Sequence, residues 1–251
     1  MHMFVQLGGL RLPTYGLMIA LGVVSANLLA IPFGKKNKLD LNDLLILEAY
    51  TFLGAFSGAK ILFLIVSWKL IDWSRIFEPD YFNLVMRGGF VFYGGLIGGI
   101  CTVFLGGKIH KINVWDYVQK LIPFIPFIHC FGRIGCFLGG CCYGIPYDGI
   151  FAVTYPEASL PPSDVSLFPV QVVEAVCLMI LFFVLLKVKE KYRLEAYLLI
   201  YGILRFVLEY FRYDEERGSF LVFSTSQWVS ILLVSIAIYR LLKIKKRGIS
   251  R

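Results

Sequence analysis

Apolar residues run along this chain in stretches long enough to cross a lipid bilayer. One helical crossing takes about 20 consecutive, mostly apolar residues. Seven segments approach that length, namely 13–33, 44–67, 89–107, 114–131, 170–187, 194–212 and 226–242. The pattern therefore predicts an all-α, polytopic integral membrane protein with about seven transmembrane helices.

The fourth of these segments is the least regular. Polar and charged side chains interrupt it, and so do prolines, which remove a backbone donor and bend or break a helix. The interrupting residues are Asp116, Gln119, Lys120, Pro123 and Pro126. We expect a tilted, kinked or re-entrant element at this position.

Composition supports a membrane protein and gives it an orientation. Hydrophobic residues make up 58% of the 251 residues, which is too much apolar surface for a soluble globule of this size. The net charge of +8 does not indicate a nucleic-acid partner, because the basic residues follow every second apolar segment. By the positive-inside rule these connections are cytoplasmic, so the N-terminus is outside and the C-terminus inside. The residues are Lys35, Lys36, Lys38, Lys108, Lys111, Lys187, Lys189, Lys191, Arg193, Lys243, Lys245, Lys246 and Arg247.

The connection at about 143–168 has the opposite character. It contains Asp148, Glu157 and Asp164 but neither lysine nor arginine. We therefore predict an external loop here. Because the chain has no tandem repeat and no disordered linker, residues 1–251 are expected to form a single transmembrane domain.

Charged side chains also occur within or at the edge of the apolar segments, and each would cost about 2.5 to 3.5 kcal/mol at the centre of a helix. They are Lys60, Arg133, Glu174, Arg205, Glu209 and Arg212. The spacing of Arg205, Glu209 and Arg212 predicts one face of a single helix. Either Glu209 pairs with one or both arginines and fixes this helix to its neighbours, or the excess of positive charge binds an anionic ligand.

Gln171 and Glu174 are one helical turn apart and follow Pro169, which suits the first turn of a helix. Their side chains are expected to face the same way near the external surface. A cap with a carboxylate favoured by the helix dipole and a ligand-binding role both fit this position.

The run at 132–144 combines Arg133 with five glycines. Glycine lets backbone N–H groups approach a ligand, and an arginine in the membrane zone needs an anionic partner. We therefore expect a phosphate-bearing lipid to bind here.

Four of the six cysteines lie close together, at Cys130, Cys136, Cys141 and Cys142. Their spacing matches no metal-binding signature, and adjacent cysteines chelate one ion poorly. We predict small packing residues, with no metal and no cofactor, and leave a reactive thiol or an external disulfide open.

The third segment opens with six glycines at 88–99. Gly95 and Gly99 form a G-x-x-x-G pair, which is typical of close helix packing. A glycine-lined cleft beside Tyr93 that admits a lipid headgroup or acyl chain is compatible with such packing.

Five stretches, in order, resemble the prolipoprotein diacylglyceryl transferase family. Residues 14–22 resemble its first span, and 93–98 are similar to its H-G-G-L-I-G element. Residues 132–144 match the frame of its signature G-R-x-G-N-F-x-N-x-E-x-x-G. Residues 168–174 resemble H-P-x-Q-x-Y-E, and 201–212 resemble G-x-x-R-x-x-x-E-F-x-R.

The resemblance implies a reaction at the outer face of the bacterial cytoplasmic membrane. Diacylglyceryl would pass from phosphatidylglycerol to the cysteine thiol of a lipoprotein signal peptide, with release of glycerol phosphate. Arg133 and Arg205 suit the catalytic roles, because cations stabilise the charge on a departing phosphate. The residues expected at the substrates are Tyr15, Gly94, Gly95, Gly98, Gln171, Glu174, Glu209, Arg212 and Gly144.

Five positions depart from the family pattern. Tyr93 and Phe168 replace histidines, Cys136 and Gly139 replace asparagines, and Cys141 replaces a glutamate. One interpretation is a divergent diacylglyceryl transferase in which Tyr93 or an external carboxylate activates the thiol. The other is a paralogue that moves another part of phosphatidylglycerol, such as glycerol phosphate, to another surface acceptor such as a glycan.

A non-enzymatic protein that binds or moves membrane lipids is a third hypothesis. Loss of the carboxylates that partner the arginines would favour it. Glu174 and Glu209 are both present, so the sequence favours an enzyme.

Overall fold

In a computed structural model, which describes residues 4–7, 10–156, 161–213 and 219–249, the chain is mainly helical. The described residues form nine α-helices: α1 (Thr14–Lys36), α2 (Leu41–Val66), α3 (Pro79–Arg87), α4 (Phe92–His110), α5 (Val114–Leu121), α6 (Phe124–Leu138), α7 (Val170–Lys187), α8 (Glu190–Leu208) and α9 (Thr225–Ile249). The predicted all-α class is confirmed. Two short antiparallel hairpins were not predicted: β1 (Phe4–Leu7) with β2 (Leu10–Pro13), and β3 (Ser219–Phe220) with β4 (Phe223–Ser224).

Five of these helices, α1, α2, α4, α7 and α9, are long and apolar enough to cross a membrane. The pair formed by α5 and α6 would make a sixth span. Helix α8 is not among the five, and it carries Glu190, Lys191, Arg193, Glu195 and Arg205. A polytopic membrane protein is therefore confirmed, while the count of seven spans and the orientation stay predictions.

Large apolar side chains cover the outer surface of the spanning helices. Leu28 on α1 is 67% exposed, and Leu53 and Phe56 on α2 are 66% and 67% exposed. Soluble proteins rarely show such continuous apolar surface. Lipid chains are the solvent that suits it.

The predicted kink in the fourth segment is confirmed. Helices α5 and α6 meet at a bend of 58°, and Pro123 is the residue that precedes α6. Proline cannot donate the hydrogen bond that would continue a helix, so the break falls where the sequence places it.

Helix α6 continues further than the run at 132–144 suggested. It ends at Leu138, so Gly132 and Gly135 lie inside the helix, where backbone N–H groups form helical hydrogen bonds. The expectation that these two glycines offer backbone donors to a ligand is therefore wrong. A Cβ on Gly135 would lie 3.2 Å from Tyr15 Cα, so this glycine allows α1 to approach α6.

The chain divides into two compact units, one formed by 1–33 and 118–251 and the other by 34–117. In the second unit, α2 packs on α4 through glycines. A Cβ on Gly94 or Gly98 would collide with the carbonyl oxygens of Gly58 and Gly54, respectively. The predicted close packing is confirmed. On α4, Gly94 and Gly98 approach α2 more closely than Gly95, where a Cβ would meet its nearest atom at 3.1 Å.

Replacing Gly98 by valine is expected to separate α2 from α4. Overpacking of this kind costs about 1 to 3 kcal/mol, and a backbone oxygen cannot rotate away as a side chain can. The measurement is the midpoint of thermal unfolding in detergent. The control is Gly34→Ala, because a Cβ there finds its nearest atom at an ordinary 3.7 Å. Equal midpoints for the two variants would contradict the packing argument.

The structure also explains the charge of Lys60 within α2. Its Nζ donates to the carbonyl oxygens of Val85 at 2.6 Å, Met86 at 3.2 Å and Gly88 at 2.6 Å. These carbonyls belong to the C-terminal end of α3, where cations are favoured. Lys60 therefore stabilises a helix end in the second unit.

The core of the first unit brings α1, α6, α7 and α8 together. One buried cluster consists of Ala26, Ala30, Phe124, Phe127 and Phe182. A second consists of Cys130, Ala175 and Leu178, with Tyr201 packed against it. Cys130 therefore has the packing role predicted for it. Between α8 and α9, Arg240 Nε donates to the buried Glu195 Oε1 at 2.8 Å.

Candidate active site

An ion pair joins α6 to α7 inside the first unit. Arg133 Nη2 lies 2.8 Å from Glu174 Oε2, and the two side chains are only 9% and 2% exposed. Both residues were predicted site residues, but their pairing was not predicted. In a buried pair of this kind, the attraction between the two charges offsets part of the hydration energy that each charge loses in the membrane.

The hydrogen-bonding capacity around this pair is only partly used. Among the described residues, no hydrogen bond of good geometry reaches Arg133 Nε or Nη2, Glu174 Oε2, Gln171 Oε1 or Arg205 Nη1, all of which are buried. The close Arg133–Glu174 contact is therefore a charge pair rather than an aligned hydrogen bond. Buried polar atoms without partners are uncommon in native proteins, and several guanidinium donors in one place suit an anion.

Arg205 forms the second arginine–carboxylate pair. It donates to Glu209, a pairing that was one of the two alternatives left open by the sequence, and also to Ser226 Oγ at 3.1 Å. Glu209 in turn accepts from Ser224 Oγ at 2.8 Å. Glu174 also interacts electrostatically with Arg205, so the two pairs belong to one cluster.

Arg212 departs from the predicted helical stripe. Helix α8 ends at Leu208, a short 3₁₀ turn follows, and Arg212 has an extended backbone. There it forms an isolated antiparallel bridge with Gly144. The expectation of three charges on one helical face is therefore wrong for Arg212, because this bridge to the loop after α6 takes the place of a further helical turn.

Gln171 holds the loop after α6 against the start of α7. Its Nε2 donates to the carbonyl oxygen of Cys141 at 2.8 Å and to the hydroxyl oxygen of Tyr155 at 3.0 Å. Burial raises the pKa of Tyr155, so this phenol stays neutral. Neither Gln171 nor Glu174 caps the first turn of α7, so the capping alternative is wrong.

The described parts of the loop after α6, residues 143–156 and 161–168, are folded onto the site. Val153 and Leu167 exchange backbone hydrogen bonds of 2.9 and 3.0 Å, and Leu167 is fully buried. A Cβ on Gly144 would collide with the carbonyl oxygen of Phe168 and lie 2.9 Å from that of Phe211. Gly144 therefore has a packing role, and its predicted role in binding is untested. Glu157 lies outside the described residues.

The structure thus groups most of the predicted site residues. Arg133, Gln171, Glu174, Arg205 and Glu209 belong to the cluster on α6, α7 and the end of α8, and Tyr15 on α1 contacts α6 at Gly135. Arg212 and Gly144 form the backbone bridge described above. The other four lie on α4 in the second unit. They are Tyr93, Gly94, Gly95 and Gly98. Their roles at the substrates stay predictions.

Sequence reasoning missed several members of the cluster. His129 Nε2 lies 3.9 Å from Glu174 Oε1, and its spacing of four residues from Arg133 could have revealed it. Ser224 and Ser226 had no local signal, because they reach Glu209 and Arg205 only through tertiary packing.

The cysteines after Arg133 also converge. The sulfurs of Cys136, Cys141 and Cys142 all lie within 4.8 Å of one another. Arg133 Nη1 lies 3.8 Å from Cys136 Sγ. All six cysteines of the chain are thiols rather than disulfides.

These features define a polytopic membrane protein with an internal cluster of arginines and carboxylates. A family profile described as prolipoprotein diacylglyceryl transferase matches residues 2–243. The chain belongs to this family, so the resemblance seen in the sequence is confirmed.

Curated bacterial relatives agree over nearly the whole chain. The chain is 36% identical over 251 residues to phosphatidylglycerol-prolipoprotein diacylglyceryl transferase 2 of Clostridium perfringens, with 96% of this chain and 95% of the relative covered. It is 33% identical to the phosphatidylglycerol-prolipoprotein diacylglyceryl transferase of Clostridium tetani, with coverage of 93% and 94%. The enzyme of that name from Mannheimia succiniciproducens is 33% identical, with coverage of 84% and 80%.

Proposed function

We propose that the protein transfers the diacylglyceryl group of phosphatidylglycerol to the lipobox cysteine of a prolipoprotein. The names of the relatives supply the reaction and the substrates. The observation that carries the proposal is a set of buried guanidinium donors that make no hydrogen bond among the described residues. They are Arg133 Nε, Arg205 Nη1 and Arg133 Nη2, the last of which is held only by its charge pair with Glu174. A lipid phosphate would offer these donors acceptor oxygens and a negative charge.

The two arginines bind the phosphate while the chemistry takes place at the neighbouring carbon. The thiolate sulfur of the acceptor attacks the glyceryl carbon, a C–S bond forms, and the C–O bond to the phosphate breaks. The electron pair of that bond leaves with glycerol phosphate. Because negative charge grows on the phosphate during this step, fixed guanidinium groups stabilise the transition state more than the substrate.

Glu174 and Glu209 position the arginines for this task. Glu174 contacts Arg133 from the next helix, and Glu209 contacts Arg205 from the next helical turn. Each contact fixes the orientation of a planar guanidinium group that has several donors. Gln171 holds the loop that follows α6 beside them. Tyr93 stays the predicted proton acceptor for the thiol, with His129 as a second candidate because it lies beside Glu174.

We place the reaction at the outer leaflet of the bacterial cytoplasmic membrane. The acidic loop at 143–168 supports this orientation, since the positive-inside rule assigns the basic connections to the cytoplasm. The loop packs beside the end of α6 that carries Arg133, so a peptide from the external side has a short path to the site.

The test uses purified protein, phosphatidylglycerol labelled separately in its acyl chains and its headgroup, and a lipobox peptide. We expect the peptide to gain the mass of diacylglyceryl while glycerol phosphate is released. A peptide with alanine in place of the lipobox cysteine is the control and should stay unmodified. An unmodified lipobox peptide, with lipid consumed only when a glycan acceptor is added, would replace this proposal by the paralogue hypothesis.

A further inference from the structure

Three thiols at the end of α6 form a cluster that the transfer reaction does not use. We propose that Cys136, Cys141 and Cys142 bind one thiophilic metal ion, Zn²⁺ or Cu⁺, through three thiolates. The proposal concerns the loop after α6 and does not depend on the transferase activity.

The distances suit a single ion. The three sulfur atoms lie within 4.8 Å of one another. A zinc–sulfur bond is about 2.3 Å long, so three thiolates around one ion are separated by about 4 Å. Small rotations of the side chains therefore bring all three sulfurs into bonding distance, without a change of backbone. Soft thiolate ligands select Zn²⁺ and Cu⁺ over hard cations.

The backbone explains how two adjacent cysteines can share an ion. In an extended chain, neighbouring side chains point to opposite sides, and for this reason the sequence did not predict a metal site. Cys142 instead has a left-handed conformation with φ of 60°, which breaks that alternation. Cys141 N also donates to the carbonyl oxygen of Cys136 at 3.0 Å, which folds the loop back onto the helix.

The left-handed conformation of Cys142 is itself informative. For a residue with a side chain it costs about 1 to 2 kcal/mol. Such strain concentrates at functional sites, where the surroundings hold it in place. Here the left-handed conformation accompanies the convergence of the three sulfurs.

The local charge suits a complex of three thiolates. With Zn²⁺ the complex has a net charge of −1, and with Cu⁺ it has −2. Arg133 lies 3.8 Å from Cys136 Sγ and offers a positive charge to that complex. Binding proceeds by loss of one proton from each thiol, so up to three protons are released for each ion. Cys136 is buried and the other two cysteines are half-buried, which leaves a route by which the ion can enter.

A bound ion would stabilise the loop that follows α6 and lies beside the active site. Cys141 belongs to this loop, and its carbonyl oxygen accepts the hydrogen bond from Gln171. The metal would therefore have a structural role, and all three protein ligands would come from one turn of helix and the loop after it.

The experiment measures metal content and thiol protection in the whole protein, purified in detergent without oxygen. One sample is loaded with Zn²⁺ and another with Cu⁺, and after removal of excess metal each is analysed by mass spectrometry for bound ions. We expect about one ion per chain in at least one sample. The Cys142→Ser variant should lose it, whereas Cys101→Ser and Cys177→Ser should keep it.

Alkylation of the wild-type protein keeps the test independent of how the variants fold. In the loaded protein, Cys136, Cys141 and Cys142 should resist alkylation, and a chelator should restore their reaction. Loading that leaves the three thiols as reactive as before would overturn the proposal. Protection that accompanies a loss of two hydrogen masses would also overturn it, since that result would identify a disulfide.

Discussion

Replacing Arg133 by lysine is expected to lower the rate of diacylglyceryl transfer about 100-fold, the usual effect of removing one donor that stabilises transition-state charge. Lysine keeps the positive charge beside Glu174 but has no planar fork with which to hold a phosphate. Folded protein should therefore remain while kcat falls. The measurement is the initial rate of peptide modification at several concentrations of phosphatidylglycerol, with the midpoint of thermal unfolding as the check on folding.

Alanine is the wrong substitution at this position. Glu174 is 2% exposed and lies 2.8 Å from the guanidinium, so removal of Arg133 leaves a buried carboxylate without its partner. Such a loss costs about 3 to 5 kcal/mol of stability. An inactive Arg133→Ala protein would therefore not separate catalysis from folding.

The matched control is Arg193→Lys. Arg193 is also buried, but its donors cap backbone carbonyls, at 3.1 Å for Val188 and 3.3 Å for Lys120. Transfer by this variant should stay within a few-fold of wild type. If Arg133→Lys also kept wild-type transfer, the assignment of Arg133 to the phosphate would be wrong.

The elements that the sequence predicted well are those decided by local chemistry. The positions of the apolar helices follow from hydropathy, and the bend before α6 follows from Pro123. The Arg205–Glu209 pair was predictable from its helical spacing. Each of these features is specified within a few residues of chain.

Two of the features that the sequence did not predict depend on long-range contacts. The pairing of Arg133 with Glu174 joins two helices separated by the loop at 143–168. Arg212 leaves the helical pattern because it bridges to Gly144. In both cases tertiary structure decides between local alternatives that the sequence leaves open. The convergence of the three sulfurs is local, but it includes a left-handed backbone at Cys142, which the sequence did not predict.

The second large effect is expected for Arg205→Lys, which should also lower transfer about 100-fold. Arg205 is held by Glu209 and by Ser226, so its unpaired Nη1 is fixed in direction. Lysine would keep the charge near Glu209 and lose this direction. A fall in kcat larger than the rise in KM would indicate an interaction made in the transition state.

Combining the two variants tests whether both arginines act on one phosphate. If they do, the loss in the Arg133→Lys, Arg205→Lys protein should be smaller than the product of the single losses, because groups that act as a unit are not additive. The control is Arg240→Lys, since Arg240 also pairs with a buried carboxylate between α8 and α9 but lies outside the cluster. Multiplication of the single losses would mean that the two arginines contact different groups, so that only one of them binds the departing phosphate.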